Sequence, residues 1–464
     1  MSCVYNCLMY LTGWPLAVLL IAGGLYFTFR TRFIQLRLFV ESLRVVLEKP
    51  KGPEGISSFG ALMISTASRV GTGNIIGVST AICFGGSGAV FWMWLTALIG
   101  GASAFVESTL AQIYKRRNPD GSCYGGPSFY IESACKSKFL AVIFAVALIF
   151  TYGVGYNMLA SFNLQSSFEV FSFYRPRYCW IFGAVTMVLF FFTILGGSKS
   201  LVRTTGFLVP FMGALYILFA LGALILNIGN IPEMVADIFK SAFDFKAIMG
   251  GFSGSVIMWG LKRGLYSNEA GIGSAPNAAA AADVSHPVKQ GLVQMLSVFI
   301  DTNLLCTATA LMCLVSGVPG NAQNAGAAYV QAALKQSFGM VGPVFIACAM
   351  VLFAFTTLIG NFFYVENCIA YICGRKPGKK TLTVIRIIGG LLIFVGAGLK
   401  MDIAWGIADI SQCVLAFINI PVCIIIGSVS YKALADYVSQ RRQGVEPEYN
   451  AQRCGVAEKT DFWK

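Results

Sequence analysis

Apolar segments that are long enough to cross a bilayer recur along nearly the whole chain, and they constrain its fold more than any other feature. Each has the length that a helix needs to cross a hydrocarbon core about 30 Å thick. They lie at residues 11–29, 57–83, 89–114, 139–160, 178–196, 204–228, 247–273, 290–316, 341–371, 382–400 and 403–431. The sequence therefore predicts an all-α polytopic membrane protein, with about eleven transmembrane helices in a single transmembrane domain over residues 1–464.

Composition supports this class and excludes several functions. Only 12% of the residues are charged, whereas soluble domains carry about a quarter. The net charge of +13 comes from Lys and Arg in loops between spans, so no nucleic-acid partner is expected. The chain has a single histidine, His286, and no CxxC, Gly-x-Ser-x-Gly or phosphate loop. We therefore expect no zinc site, no cofactor, no enzymatic activity and no ATP-driven transport, and no feature indicates a channel pore.

The distribution of basic residues predicts the orientation in the membrane. Residues 30–55 form a basic amphipathic stretch that we expect to lie on the membrane surface. Because Lys and Arg are enriched in cytoplasmic loops, the N-terminus is predicted outside and the C-terminus in the cytoplasm, with the protein in the plasma membrane (the inner membrane in bacteria). The first residues hold no Lys or Arg, so the first span is expected to be retained. The side predicted to be cytoplasmic carries Arg30, Arg32, Arg37, Arg44, Lys49, Lys51, Lys115, Arg116, Arg117, Lys199, Arg203, Lys262, Arg263, Lys289, Arg375, Lys376, Lys379, Lys380, Arg441 and Arg442.

Two of the predicted spans are interrupted by glycine and polar residues. The second contains SRVGTGNIIG at 68–77, and the seventh contains GGFSGS, WGLKRG and NEAGIGSAPNA between 250 and 278. Each opens a set of five spans, at 57–228 and 247–431, and the sets enter the membrane from opposite sides. This predicts an inverted 5+5 repeat with two broken helices, after an N-terminal helix and surface segment (1–56) and before a cytoplasmic tail (432–464). Paired interruptions of this kind indicate a secondary transporter's binding site; close helix packing is the alternative role of the glycines.

A break at mid-membrane frees backbone groups that a ligand can satisfy. In the second span, carbonyls near Ala67–Val70 would suit a cation, and N–H groups near Gly71–Asn74 would suit a carboxylate. In the seventh span, we expect the outer half to end near Ile257–Trp259, where carbonyls could accept an ammonium group. A zwitterion would match both ends. The sequence therefore predicts an amino-acid site.

Several motifs resemble those of the alanine/glycine:cation symporter family. They are GTGNIIGVSTAI, GGSGAVFWMWLTALIGGASAFVESTLAQIYK, GGPSFYI and SNEAGIGSAPNAAAAA, and the resemblance extends from the first span to LADYVSQRR. It implies the leucine-transporter type of inverted-repeat fold with one extra N-terminal helix. It also implies a secondary active transporter that couples sodium to the uptake of alanine or glycine.

The resemblance assigns roles to particular residues. Those matching the unwound substrate segment are Gly71, Thr72, Gly73 and Asn74. Those matching a sodium site are Ala67, Val70, Thr356 and Thr357, although threonines within a span ordinarily bond to their own helix. A second cation site could form at Asn74 and Asp301. For the pocket wall we nominate Tyr152, Tyr156, Trp259, Gly260 and Asn361, the last standing where many family members have tryptophan.

Charged residues inside predicted spans are costly and usually paired. Arg69 could pair with Asp301 or Glu107; Asp301 could instead bind the second cation or carry a proton; a structural role is the third alternative. Glu269 is expected close to Arg263 as part of an inner gate, or as a solvated loop acid. Proton coupling through Asp301 or Glu107 and a larger substrate such as glutamine stay open, as does D-alanine. No obligate protein partner is predicted, and a monomer is expected.

Overall fold

The computed structural model describes residues 11–50, 55–118, 121–194, 197–244, 255–375, 377–456 and 460–463. Helices dominate these ranges, which confirms the predicted all-α class. The strands found in them are β1 (Arg116–Arg117) and β2 (Cys123–Tyr124), which pair antiparallel.

The described residues contain twenty-one α-helices, and eleven of them lie before residue 227. They are α1 Trp14–Arg30, α2 Ile34–Arg37, α3 Phe39–Val46, α4 Ser58–Arg69, α5 Val78–Gly85, α6 Ala89–Ile113, α7 Pro127–Ala134, α8 Lys138–Phe150, α9 Tyr156–Ser166, α10 Cys179–Ile194 and α11 Gly197–Leu226. The remaining ten are α12 Ile231–Ala242, α13 Val256–Asn268, α14 Ala275–Ala281, α15 Pro287–Val298, α16 Thr307–Val315, α17 Ala327–Phe338, α18 Val341–Cys373, α19 Lys379–Gly396, α20 Met401–Ile426 and α21 Ser428–Arg442. Three π-helical segments, Gly73–Gly77, Thr151–Gly155 and Phe299–Cys306, and two 3-10 turns, Pro176–Tyr178 and Ile228–Asn230, lie between them.

Six helical segments within the described residues are long and apolar enough to cross a membrane. They are Ala89–Ile113, Lys138–Ser166, Leu201–Leu226, Pro287–Val315, Val341–Cys373 and Met401–Ile426. Shorter apolar helices cover Trp14–Arg30, Gly73–Gly85 and Pro176–Phe192. A multi-pass membrane protein is therefore confirmed, while the count of eleven spans and the inverted repeat stay predictions.

Two additional helices lie in segments that the sequence predicts as loops. α12 and α17 begin with Ile231 and Ala327, between predicted spans. α17 buries Tyr329, Val330 and Leu334. At the C-terminal end, α20 ends at Ile426 and α21 begins at Ser428, so the predicted span boundary at 431 falls inside a helix. These short helices mix polar and apolar residues. They therefore lack the continuous apolar run of about 20 residues that predicts a membrane span.

The second predicted span is broken where its sequence indicates. α4 ends at Arg69, and Val70 leaves the helical conformation with φ −75° and ψ 87°. The chain returns to helix through the π-helical turn Gly73–Gly77 and continues as α5. The predicted interruption at Arg69–Asn74 is therefore confirmed.

The seventh predicted span is also broken, but at one place within the described residues. α13 runs from Val256 to Asn268, so the expected helix end near Ile257–Trp259 is wrong. After it, Glu269, Gly271 and Gly273 have φ of 53°, 88° and 83°, conformations that favour glycine. Of the predicted interruptions, NEAGIGSAPNA breaks the helix, WGLKRG is helical, and GGFSGS falls mostly on residues 250–254, outside the described residues.

Helix α6 is the centre of the packing. It lies against α13, α14, α15 and α1, while α18 lies against α4. Gly260 is pressed against Ala89 and Trp92 of α6 so closely that a side chain there would overlap them. This glycine therefore serves close helix packing. The two broken helices thus meet around α6 and α18.

Candidate functional site

The first break is closed by the side chain of Asn74. The Gly71 N–H donates to Asn74 Oδ1 at 2.9 Å. In a continuous helix that N–H would donate to the carbonyl of Ala67, so the break frees the Ala67 carbonyl from this bond. Asn163 Nδ2 donates to Thr72 Oγ1 at 2.9 Å, which anchors the unwound segment to α9.

Asn74 also belongs to a buried polar cluster around Asp301. Asn74 Nδ2 donates to Asp301 Oδ1 at 2.7 Å and to the Asp301 carbonyl at 3.2 Å. Ser267 and Thr302 donate to Asp301 Oδ2 at 2.6 Å and 2.8 Å. All four residues are buried. Asp301 lies in the π-helical segment Phe299–Cys306, and such segments are frequent at functional sites.

This cluster draws on three elements, the two broken helices and the π-helical segment. The structure therefore brings together the two residues that the sequence nominates for a second cation. Its carboxylate, carbonyl and hydroxyl oxygens are the ligands that a hard cation prefers. Ser267 was missed by sequence reasoning, although it begins the SNEAGIGSAPNA motif.

The two threonines nominated for sodium behave differently. Thr356 Oγ1 lies 3.0 Å and 3.1 Å from the carbonyls of Leu352 and Phe353 in its own helix, the alternative that the sequence left open. Thr357 Oγ1 is buried and has no hydrogen-bond partner in the described part of the chain. It lies so close to Gly71 that a side chain at Gly71 would overlap it. Thr357 is thus the threonine that faces the break.

The rest of α18 near Thr357 also lines the first break. Gly360 packs against the backbone of Ser68. Asn361 accepts a hydrogen bond from Ser68 Oγ at 2.7 Å and donates to Asn157 Oδ1 at 2.9 Å. Asn361 therefore bridges α4, α9 and α18, which places the residue that departs from the family pattern next to the break.

Glu107 of α6 holds the second break. Its carboxylate accepts the N–H groups of Gly271 and Gly273 at 3.3 Å and 3.1 Å. Asn419 Nδ2 donates to the same carboxylate at 2.7 Å and to the Gly271 carbonyl at 2.9 Å. Glu107 and Asn419 thereby satisfy backbone groups that the break would leave unpaired.

The predicted ion pairs of Arg69 are not formed in this conformation. Arg69 is buried, and its NH1 donates to the carbonyl of Gln294 at 3.4 Å. Its Nε and NH2 have no hydrogen-bond partner among the described residues, so neither Asp301 nor Glu107 contacts it directly. These two carboxylates are instead occupied by the neutral donors described above.

Arg263 pairs with a residue other than the predicted one. Its NH1 and NH2 lie 3.2 Å and 3.4 Å from the two carboxylate oxygens of Asp409 in α20. The guanidinium also lies 3.9 Å from the centre of the Trp405 ring. Glu269 is buried and accepts a hydrogen bond from Ser274 Oγ at 2.6 Å. The expectations of an Arg263–Glu269 contact and of a solvated Glu269 are therefore wrong.

A row of aromatic rings connects this ion pair to the first break. Tyr152, Tyr156, Tyr266 and Trp405 follow one another with ring centres 4.9 Å, 4.8 Å and 4.8 Å apart. Tyr266 lies against Gly73 so closely that a side chain at Gly73 would overlap it. Tyr152 lies in the π-helical turn Thr151–Gly155, which also contains Gly153 and Gly155. Two of the predicted wall residues therefore join this row.

Trp259 lies farther from the second break, which follows Asn268, than predicted. It stacks on Phe84 with ring centres 4.8 Å apart, and it precedes Asn268 by nine residues in α13, or about 14 Å of helix. Together with Gly260, it lies beyond the Arg263–Asp409 pair along α13. Tyr266, Trp405 and Asp409 take the nearer positions. Sequence reasoning missed them, and their signal is weak, because they are single residues in apolar spans.

Comparison with protein families agrees with this geometry. The model of the sodium:alanine symporter family matches residues 2–451. The chain belongs to this family. As a member of the sodium:alanine symporter family it is a membrane symporter and not an enzyme.

Relatives of this sodium:alanine symporter family member cover almost its full length. The amino-acid carrier protein AlsT of Bacillus subtilis is 42% identical over 447 residues, which are 96% of this chain and 94% of the relative. The probable sodium/glutamine symporter GlnT of the same organism is 39% identical over 436 residues, 94% of this chain and 90% of the relative. Amino-acid symport is thus supported.

A solved structure supports the fold of this family member. The crystal structure of MhsT in complex with L-phenylalanine aligns with a TM-score of 0.56 at 17% identity, over 87% of this chain and 92% of that chain. At this identity the similarity concerns the fold alone. It confirms that the broken helices belong to a fold of the leucine-transporter type.

Proposed function

We propose that this protein imports a small neutral amino acid, alanine or glycine, together with sodium by alternating access. The observation that supports the proposal most directly is the double role of Asn74. Its Oδ1 holds the Gly71 N–H of the predicted substrate segment, and its Nδ2 holds Asp301 of the predicted cation cluster. One side chain thus links the substrate segment to the cation ligands, as coupled binding requires.

The dimensions of the first break favour a small substrate. Gly71 and Gly73 lie in contact with Thr357 and Tyr266, respectively. An amino acid bound here would have its carboxylate at the N–H groups of the second half-helix and its side chain against Tyr266 and its neighbouring rings. The two oxygen-rich regions beside it, one at Asp301 and one at Thr357 with the Ala67 and Val70 carbonyls, would hold sodium.

The contacts of Asp301 favour sodium over a proton as the coupling ion. Asn74, Ser267 and Thr302 donate hydrogen bonds to its carboxylate. Hydrogen bonds donated to a carboxylate favour its ionised form, which is the form that ligates a cation. Glu107, the other candidate proton carrier, likewise accepts the bonds of Gly271, Gly273 and Asn419.

The buried Arg263–Asp409 pair would form the gate on the outer side. If the seventh span enters the membrane from outside, as predicted, the N-terminal end of α13 faces outside. This pair and Trp405 would then lie between the break and the exterior, and Arg263 would not belong to the cytoplasmic set of basic residues. Breaking and reforming the pair would open and close access to the site. Glu269 would then lie at the level of the substrate rather than at an inner gate.

Uptake into proteoliposomes tests the proposal. Radiolabelled alanine should accumulate under an inward sodium gradient and not under a proton gradient alone. Asp301→Asn removes the carboxylate charge and should weaken cation binding by at least about 1.4 kcal/mol. The sodium concentration for half-maximal uptake should therefore rise by at least about tenfold. Thr357→Val should act in the same direction, since it removes a hydroxyl ligand.

Thr186→Val provides a matched control for the threonine variant. Thr186 is buried in α10 and donates to the Phe182 carbonyl at 2.7 Å, and α10 carries none of the proposed site residues. Its uptake should stay at the level of the unmodified protein. Uptake driven by protons without sodium would contradict sodium coupling. Stronger competition by glutamine or D-alanine than by alanine and glycine would contradict the proposed substrate.

A further inference from the structure

A basic cavity lies at the C-terminal end of α1, away from both helix breaks. It encloses about 570 Å³ between residues 30–37 and α21. Four arginines line it, namely Arg30, Arg32, Arg37 and Arg442, and no carboxylate does. The rest of its wall includes Tyr431 and Ser439. The transport mechanism proposed above assigns no role to this cavity.

The four arginines have no carboxylate partner among the described residues, whereas neighbouring arginines do. Arg44 and Arg441 reach Glu41 at 3.8 Å and 3.0 Å. In the cavity, Arg37 NH2 donates only to the Thr31 carbonyl at 3.4 Å, and Arg30 lies over the ring of Tyr431 at 5.0 Å. The cavity therefore brings together four guanidinium groups and no carboxylate, while Glu41 lines an adjoining cavity with Arg37 and Arg442. Guanidinium groups match phosphate geometry closely.

The backbone that carries these arginines has an unusual conformation. Arg32 and Phe33 both adopt positive φ, 55° and 56°, in a region that residues with side chains rarely occupy. The turn is held by the Phe33 N–H, which donates to the Thr28 carbonyl at 2.8 Å. It places Arg30, Arg32 and Arg37 around one cavity. Strain of this type clusters at ligand sites.

Exposed apolar residues alternate along the chain with the arginines of the cavity and continue beyond them. Phe29, Phe33, Leu36, Val40 and Leu47 are between 47% and 83% exposed, and they extend from the end of α1 along α2 and α3. An amphipathic segment of this type lies at the headgroup level of a bilayer, with its apolar side chains among the acyl chains. A free phosphate ion would use the arginines but gain nothing from this apolar rim. A phospholipid would use both.

We propose that this cavity binds the phosphate headgroup of an anionic phospholipid, with the acyl chains against the exposed residues of α2 and α3. Basic pockets beside membrane helices bind such headgroups. The bound lipid would connect the segment after α1 to α21, since the four arginines come from both.

Native mass spectrometry of the detergent-solubilised protein tests the proposal directly. Phosphatidylglycerol and phosphatidylcholine with identical acyl chains are added in equal amounts, and inorganic phosphate is added in a separate arm. We expect phosphatidylglycerol to be retained in preference to phosphatidylcholine. Arg32→Gln/Arg442→Gln should reduce its affinity by about tenfold or more, because each arginine near an anionic lipid contributes appreciably.

Arg44→Gln/Lys432→Gln is the matched control. It also removes two positive charges, from exposed residues that do not line the cavity, and it should bind phosphatidylglycerol as the unmodified protein does. Arg32→Lys/Arg442→Lys retains both charges and should bind with intermediate affinity. This result would show that the glutamine variant loses affinity through its arginines and not through misfolding. Equal loss in the control and cavity variants would overturn the proposal, as would binding of inorganic phosphate or phosphatidylcholine as tightly as phosphatidylglycerol.

Discussion

At the scale of single residues, glycine decides how closely other groups approach the first break. Gly71 and Gly73 have no side chain, and the space that one would need is filled by Thr357 and Tyr266. The glycine-rich sequence thus serves two ends. It lets the helix open, and it lets a hydroxyl and a tyrosine ring reach the open segment.

Gly71→Ala should destabilise the protein, because its methyl group would overlap Thr357 Oγ1, and overpacking costs about 1–3 kcal/mol. The thermal unfolding midpoint in detergent measures this. Adding Thr357→Ala should recover part of the loss, since it vacates the position of the hydroxyl. Adding Thr357→Val should not, because valine fills the same position. Additive effects in both double variants would show that the two residues are not in contact.

At the scale of elements, each broken helix is completed by a side chain, Asn74 at the first break and Glu107 at the second. Glu107 lies on α6, so the second break is held by a different helix from the one that breaks. Its carboxylate gathers the N–H groups of Gly271 and Gly273 with Asn419. The conformation of the NEAGIGSAPNA motif therefore depends on the packing of α6 against α13 and α14.

Glu107→Ala should lower the free energy of unfolding by about 2–6 kcal/mol, because it leaves the buried N–H groups of Gly271 and Gly273 without a partner and each such donor costs about 1–3 kcal/mol. Glu107→Gln should be milder, since its amide oxygen still accepts a bond. Glu132→Ala is the control: Glu132 pairs with Arg116 at 3.2 Å near the surface, and such pairs contribute about 0–1 kcal/mol. Thermal unfolding of the three variants compares them. An equal loss in Glu132→Ala would contradict the role of Glu107.

At the scale of the whole molecule, the C-terminal segment folds back onto the helix bundle. The Tyr449 N–H donates to the Ser285 carbonyl at 3.1 Å, and Trp463 Nε1 donates to the Gln112 carbonyl at 2.7 Å. His286 lies between Tyr437 and Tyr449, with both ring centres 5.1 Å from its own. It also caps α15 by accepting the Val288 N–H. The predicted tail is thus part of the packed structure.

Stability should depend on pH through His286. Burial lowers its pKa from 6.5 to about 4, although Asp436 opposes the shift. The unfolded chain therefore binds the proton more readily than the folded chain. The contribution of neutral His286 to stability is fully present above pH 6.5 and is lost as the pH falls toward 4. The thermal midpoint should decline over this window. His286→Asn retains a helix-capping oxygen and should show a shallower decline; an unchanged pH profile would contradict this assignment.

The sequence by itself determined the class of the protein and the places where its helices break. Apolar windows, the polar glycine-rich segment at Arg69–Asn74 and the NEAGIGSAPNA motif are local features, because helix length and positive φ depend on residues next to one another. Asn74 closes the first of these breaks by accepting the Gly71 N–H. The glycines of WGLKRG have the same local appearance, and only the contact of Gly260 with α6 distinguishes packing from a break.

The tertiary structure alone decided the partners of the buried charges. The sequence left a pair of Arg69 with Asp301 or Glu107 as one alternative and placed Glu269 close to Arg263. In the structure Arg69 donates to the Gln294 carbonyl and Arg263 pairs with Asp409. Asp409 is 146 positions from Arg263 along the chain, and Ser267 is 34 from Asp301. A buried charge pairs with whatever group the neighbouring helix presents at its depth, and that depends on the packing of helices distant in sequence.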